Sequence, residues 1–340
     1  MGVLLVAAAF AWELRGPGGT ATSSQIEAVS VFSSAGLASA RVSTDSAALR
    51  RVATDTLRYL RAHPDDPAQA TMLAEIGVAP ERLLRTLELV ANATDAELLD
   101  PAWITTHFEY FRWTPPAGGR TAKLGLAPGE LRLTRYLVVQ VEGRAAPDAT
   151  YTEAIYADPG EPDRSRYTRR EVMEGAYDQG GATPLAWLRE EHVHDAIMQG
   201  SVQVTFPGGL SRLYNVEASN GILYEGSKRG RDQDRYWYFA EVPAPRGYGV
   251  AGGDHVLLEA GVAVAGDVYN LGLGRLVAIQ HPSNKGTVLR LAVLADTGGA
   301  FQPNLSQLDW FGGAFPTHAA LYAAWKDLPD RVSAGVLVAR

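Results

Sequence analysis

The chain of 340 residues contains no cysteine. That absence excludes disulfides, thiolate metal sites and a cysteine nucleophile. It has no basic block either, and its net charge is −7. A partner read through its phosphate backbone is therefore not expected, and nucleic acid is set aside. A neutral or cationic glycan or peptide is easier to accommodate. The chain also lacks an apolar run long enough to cross a bilayer, which takes ~20 residues. The longest such run, residues 2–12 (Gly-Val-Leu-Leu-Val-Ala-Ala-Ala-Phe-Ala-Trp), has the length of a signal-peptide core, but no Lys or Arg precedes it. One reading makes it an export signal or membrane anchor; the other makes it a buried terminal segment or an imperfect start site. His192, His194 and Glu191 do not converge on one face with a third ligand, so neither a metal nor another cofactor is expected.

The length suits two domains with cores of their own. Glycine is abundant and scattered, 35 residues in all, which favours a β-rich, turn-rich fold. One stretch draws the eye to chemistry. Leu291, Val293 and Leu294 form an apolar run that ends in Asp296. Thr297, Gly298 and Gly299 follow, and a second acid, Asp309, precedes the aromatic pair Trp310-Phe311 and two more glycines. This pattern predicts a buried strand ending in a carboxylate. A tight Gly-Gly turn then lets backbone amides approach whatever the carboxylate touches. An acid so placed must be hydrogen-bonded or carry a shifted pKa.

The rest of the chain reads as follows. Residues 15–42 have the composition of a loose linker. Three helices are expected: one after the caps Ser43–Ser46 with Leu49, Val52, Leu57 and Leu60 in its stripe, a short one through Met72, Leu73 and Ile76 to Gly77, and one from Pro80. The aromatics Trp103, Phe108, Tyr110, Phe111 and Trp113 are expected in the core. From Leu131 the period changes to two, and a half-buried strand is expected. Thr168 and Glu171 form a capping box that opens a further helix. A hairpin turns at Pro207-Gly208-Gly209 between residues 202 and 214. Pro243, Pro245, Gly247 and Gly249 mark a crossing between domains. A helix near His318–Trp325 precedes a last strand through Gly335–Val338.

Asp296-Thr297-Gly298 is also the tripeptide of aspartic proteases. That chemistry needs two carboxylates sharing a proton. No second Asp-Thr-Gly or Asp-Ser-Gly is present, so a protease of that kind would have to be a homodimer. The longer stretch, Asp-Thr-Gly-Gly-Ala, a spacer, then Asp-aromatic-aromatic-Gly, resembles the three-aspartate (3D) domain of the membrane-bound lytic transglycosylase A family. Val264-Ala265-Gly266-Asp267 fits that family's first aspartate, with glycine in place of its usual proline. Thr134 and Tyr136 fit its Thr-Gly-Tyr-Tyr-Glu-Pro segment, of which the glycine, the second tyrosine and the Glu-Pro are absent. Tyr151 to Pro159, Leu185-Ala186-Trp187-Leu188, Gln199-Gly200-Ser201, Asn220-Gly221 and Tyr236–Phe239 follow in the family's order. The likeness covers about residues 130–340.

The resemblance implies a mainly β fold: a six-stranded double-psi β-barrel with N-terminal helices and an inserted smaller β-domain. The boundaries would be 1–42 for the apolar segment and linker, 43–136 plus 244–340 for helices and barrel, and 137–243 for the insert. It implies non-hydrolytic cleavage of the β-1,4 bond between N-acetylmuramic acid and N-acetylglucosamine in peptidoglycan, giving a 1,6-anhydro end. Asp296 would be acid and then base, with Asp267 and Asp309 as neighbours that raise its pKa or hold its turns. Thr134, Tyr136, Gln199, Gly200, Ser201, Thr297, Gly298, Gly299 and Trp310 would meet the glycan. The protein would work in the cell envelope, periplasmic or attached to the outer membrane through residues 2–12. The cysteine that carries a lipid anchor in many relatives is missing. A glycan-binding protein without activity on the same barrel is the alternative reading.

Overall fold

The structure is a computed structural model that describes residues 31–223, 225, 227–250, 253–298, 301 and 303–340. The apolar run at 2–12 lies outside them. The described strands are β1 (Phe32–Ala35), β2 (Arg41–Val42), β3 (Phe108–Trp113), β4 (Leu131–Glu142), β5 (Glu153–Tyr156), β6 (Pro184–Leu188), β7 (Ser201–Thr205) and β8 (Ser211–Ser219). They continue with β9 (Trp237–Glu241), β10 (Arg246–Gly249), β11 (His255–Leu257), β12 (Ala263–Ala265), β13 (Leu276–Ser283), β14 (Gly286–Asp296), β15 (Gln307–Phe315) and β16 (Arg331–Ala339). The fold is mainly β, as the glycine content implied.

Twelve strands form one mixed sheet, whose main path runs β1-β3-β16-β13-β14-β12-β15-β4-β7-β8-β9, with β2 beside β14. Strand β16 pairs β4 as well, at Arg331–Val332 against Leu131–Arg132. The run from β16 through β13, β14, β12, β15 and β4 therefore returns to its own start.

Two helices pack under this run. Helix α1 (Ser46–Ala62) begins where the Asp45 carboxylate accepts the Ala48 N–H at 2.9 Å, a cap that satisfies one of the free amides of the first turn. Leu49, Val52, Ala53, Leu57 and Leu60 recur at helical spacing and are buried. Each leucine so placed contributes roughly 1.5–3 kcal/mol. Helix α2 (Pro80–Asn92) buries Leu83, Leu87 and Val90, and α1 lies against both α2 and β14. The expected short helix is a 3₁₀ segment, Met72–Ile76, closed by Gly77 in the left-handed region at φ 85°.

The buried apolar residues form two clusters. The larger holds α1, α2, β3 and most of β12 to β16. The smaller gathers Leu137, Val139, Ile155, Tyr177, Leu188, Val193, Val202 and Tyr236–Phe239, with Leu321. Strand β4 feeds both, with Tyr136 and Val138 in the first and Leu137 and Val139 in the second. Its expected half-buried alternation accordingly gives way to burial on both faces over Arg135–Val139. Phe108, Tyr110, Phe111 and Trp113 are core residues, as expected.

The linker reading fails for its described part. Phe32–Ala35 pairs antiparallel with β3, and Arg41–Val42 pairs parallel with β14. Val31 and Phe32 are buried, and that burial overrides the polar composition around them. Among the described residues, no helix is long and apolar enough to cross a membrane.

Candidate active site

Strand β14 carries Leu291, Val293 and Leu294 through the core and ends at Asp296, which keeps 7% of its surface exposed. Parallel pairing with β12 sets Asp296 beside Ala265, and Ala265 has Asp309 of β15 on its other side. Two strand spacings thus separate the Asp296 and Asp309 backbones by about 10 Å. The backbone of Asp296 is fixed by the Gly266 N–H, which donates to its carbonyl at 3.1 Å. Thr297 closes the same turn by donating its hydroxyl to the Gly266 carbonyl at 2.8 Å.

Both carboxylate oxygens of Asp296 are engaged. Oδ1 accepts the Thr297 N–H at 2.8 Å, and Oδ2 accepts the Tyr136 hydroxyl at 2.9 Å. These two bonds favour the ionised form. Burial opposes them and dominates, the Asp309 charge adds to it, and the Asp296 pKa is pushed up from 3.8 to about 7. Near neutral pH this acid therefore holds its proton for a large part of the time. Tyr136 is buried and its phenol is driven well up, first by burial and then by the Asp296 charge, so it stays a neutral donor.

Asp309 is fully buried, and burial pushes its pKa to about 7 as well. Among the described residues its oxygens have no hydrogen-bond partner in good geometry. The Thr134 hydroxyl is near enough to favour the anion a little, but it donates to the Leu308 carbonyl at 3.3 Å and accepts from Gln307 Nε2 at 2.9 Å. Asp267 is also fully buried and is saturated. Its Oδ1 accepts the Asn270 N–H at 3.2 Å, and its Oδ2 accepts Asn270 Nδ2 at 2.7 Å and the Asn304 N–H at 2.9 Å. It caps the short turn Val268–Leu271 and ties it to the loop ahead of β15.

Asp296 opens into a cleft between the two hydrophobic clusters. Tyr136 and Thr297 line it beside Asp296, and Gln199, Gly200 and Ser201 line it from the second cluster. Helix α3 (Glu190–Gln199) delivers that second wall. Gly200 ends it in the left-handed region at φ 78°, where glycine carries no steric penalty. Gln199 is buried and held in place, accepting the Leu137 N–H at 3.2 Å and lying 3.3 Å from His318 Nε2. The cleft thus unites Asp296, Tyr136, Gln199, Gly200, Ser201 and Thr297, residues far apart in the chain.

The other sequence candidates lie elsewhere. Thr134 braces Gln307, as described. Gly298 accepts the Phe301 N–H at 2.9 Å in the turn beyond Asp296, and Gly299 lies outside the described residues. Trp310 is fully buried with its ring 5.5 Å from that of Trp325, edge to face. A side chain so placed is not among those that line the cleft. Sequence reasoning missed Asn215, Val216, Trp237, Arg246, Gly247, His255 and Leu258, which complete the walls. The available signal was the Pro/Gly crossing at 243–249, because a chain crossing between two lobes borders the gap between them. Among the described residues, no group of three or more His, Cys, Asp or Glu is arranged to hold a metal.

No protein-family model matches the sequence, and no curated protein matches it. Solved structures do. A membrane-bound lytic murein transglycosylase from Agrobacterium tumefaciens superposes with a TM-score of 0.62 at 19% identity, over 87% of this chain and 92% of that one. The MltA of E. coli, solved with bound chitohexaose, gives 0.60 at 17% identity over 91% and 95%. The fold is that of the MltA lytic transglycosylases. The MltA of Neisseria gonorrhoeae agrees, with a TM-score of 0.52 at 15% identity over 85% of this chain and 87% of that one. The likeness spans most of the chain.

Proposed function

We propose that the protein is a peptidoglycan lytic transglycosylase of the cell envelope, with Asp296 as its acid and base. The observation that carries this reading is a single buried acid in a cleft. Among the described residues lining the cleft, Asp296 is the one carboxyl group, and its pKa lies near 7. Ordinary glycosidases use two carboxyl groups flanking the scissile bond. A lone acid suits a reaction in which the substrate supplies its own nucleophile.

In that reaction, protonated Asp296 gives its proton to the bridging oxygen as the bond from C1 of N-acetylmuramic acid breaks. The Asp296 carboxylate then takes the proton of that sugar's C6 hydroxyl, whose oxygen bonds to C1. The products are a free 4-hydroxyl on N-acetylglucosamine and a 1,6-anhydromuramoyl end. No water is consumed, and Asp296 regains its starting proton. Tyr136 and the Thr297 N–H hold the carboxyl group in place through both transfers. Gln199, Gly200 and Ser201 hold the glycan from the opposite wall, and the chitohexaose bound to the E. coli protein supports a glycan as the ligand.

The same reading treats the closed run of β4, β12, β13, β14, β15 and β16 as a double-psi barrel. Residues 137–243 are then a lobe inserted into it, which the separate apolar cluster supports. Asp267 and Asp309 support the barrel turns and the Asp296 environment. Digestion of purified peptidoglycan followed by mass spectrometry tests the function. Anhydro ends are expected; reducing ends would make the protein a hydrolase, and no release would make it a binder.

A further inference from the structure

Murein and chitin share a β-1,4 backbone of N-acetylated sugars. What sets murein apart is the lactyl ether on every second sugar, whose terminal carbonyl is a carboxylate or a peptide amide. A cleft that discriminates between the two needs a donor aimed at that carbonyl, and a charged donor serves the anionic form best.

Among the described residues lining the cleft, Arg246 is the one Lys or Arg. His255, its other basic group, donates its Nδ1–H to the Gly253 carbonyl at 3.0 Å, and burial pushes its pKa down, which favours the neutral ring. The guanidinium of Arg246 gives one N–H bond to Glu217 Oε2 at 3.0 Å. Its other side-chain N–H groups make no hydrogen bond to the described residues, and a guanidinium has five donors in all. Arg246 is therefore oriented from behind by Glu217 while most of its donors remain available, with its side chain 25% exposed.

The backbone beneath it is rigid. Asn215 brackets residue 246, accepting its N–H at 3.2 Å and donating to its carbonyl at 3.3 Å. The next residue, Gly247, is pressed against β14: a Cβ there would lie 2.5 Å from the Ala295 carbonyl oxygen, one residue before Asp296. The backbone that carries the cation is thus packed against the strand that carries the acid.

We propose that Arg246 reads the lactyl carbonyl of muramic acid and so selects murein over polymers of N-acetylglucosamine alone. The proposal rests on the transglycosylase reading. Because the side chain is not part of the Asn215 bracket, its truncation leaves the backbone of β10 held.

Binding separates this proposal from the reaction itself. The Asp296→Asn protein, with and without Arg246→Ala or Arg246→Lys, is titrated with a murein oligosaccharide stripped of peptides, which carries free lactyl carboxylates, and with chitohexaose. Turnover by the wild type tests the reaction separately. Arg246→Ala is expected to weaken the murein oligosaccharide ~10–100-fold, as for loss of a charge-assisted hydrogen bond, and chitohexaose less than ~2-fold. Arg246→Lys, which keeps the charge but not the fork, falls between. Peptide-bearing strands, with an amide in place of the carboxylate, are expected to lose less. Equal losses on both glycans, or no loss on the murein oligosaccharide with melting temperature unchanged, overturns the proposal.

Discussion

Replacing Asp309 with Asn removes a buried ionisable group that has no hydrogen-bond partner among the described residues, at nearly constant volume. Burial raises the folded-state pKa of Asp309 from 3.8 to about 7. The unfolded chain therefore loses this proton near pH 4, and the folded chain near pH 7. Between those values the folded state binds more protons, so stability falls as pH rises. At ~1.4 kcal/mol per pH unit the whole loss is ~4 kcal/mol, of which ~2.5 kcal/mol falls between pH 5 and pH 8. Asp296 loses a similar amount in the same window, and Asp267, also raised by burial, adds in the same direction. Asp309→Asn should leave about half of the combined Asp296 and Asp309 slope. Urea unfolding at several pH values between 5 and 8 reads this directly. At pH 5 the variant is expected to be slightly less stable than the wild type, because a buried amide without partners costs ~1–3 kcal/mol. At pH 8 that deficit should vanish or reverse. Identical pH slopes for the two proteins would show that Asp309 is not the buried, proton-holding group described here.

Asp296→Asn keeps size and the Thr297 contact but can neither give nor recover a proton; release of anhydromuropeptides should fall by ~10²–10⁴-fold while glycan binding persists, as product analysis beside an affinity measurement would show. Tyr136→Phe removes a hydrogen bond that lowers the Asp296 pKa, so the fall in kcat/KM on the alkaline side should move to higher pH; a downward or absent shift in the pH–rate profile refutes that role. Gly247→Ala places a methyl 2.5 Å from the Ala295 carbonyl, so β10 or β14 must move; lower activity together with a melting temperature several degrees lower is expected, and a variant indistinguishable from wild type in both would refute the close approach.

Much of the site was legible because it depends on local contrasts. An apolar run driving into Asp296 is visible without coordinates, and the turn after it follows from glycine. Tyr136 and Gln199–Ser201 came from a resemblance of motifs, since no periodicity reveals that β4 and the end of α3 face one acid. The crossing at Arg246–Gly249 has no hydrophobic period at all, so Arg246, His255 and Leu258 stayed hidden until the lobes were placed side by side. Trp310 shows the opposite limit. Asp309 and Trp310 are adjacent on β15, and alternation alone does not say which neighbour lies over each face; Trp325 takes the indole into the core. The strands at Phe32–Ala35 and Arg41–Val42 were masked by Ser and Ala, because their stability comes from the β3 and β14 edges they join rather than from their own composition.

The central claim is that Asp296 serves a sugar's own hydroxyl and not a water molecule. Digestion of purified peptidoglycan in water enriched in heavy oxygen tests it most directly. Released muropeptides should carry no heavy oxygen and should each be lighter by one water than the hydrolytic product. Heavy oxygen at a reducing muramic acid end would contradict the account and make the protein a hydrolase.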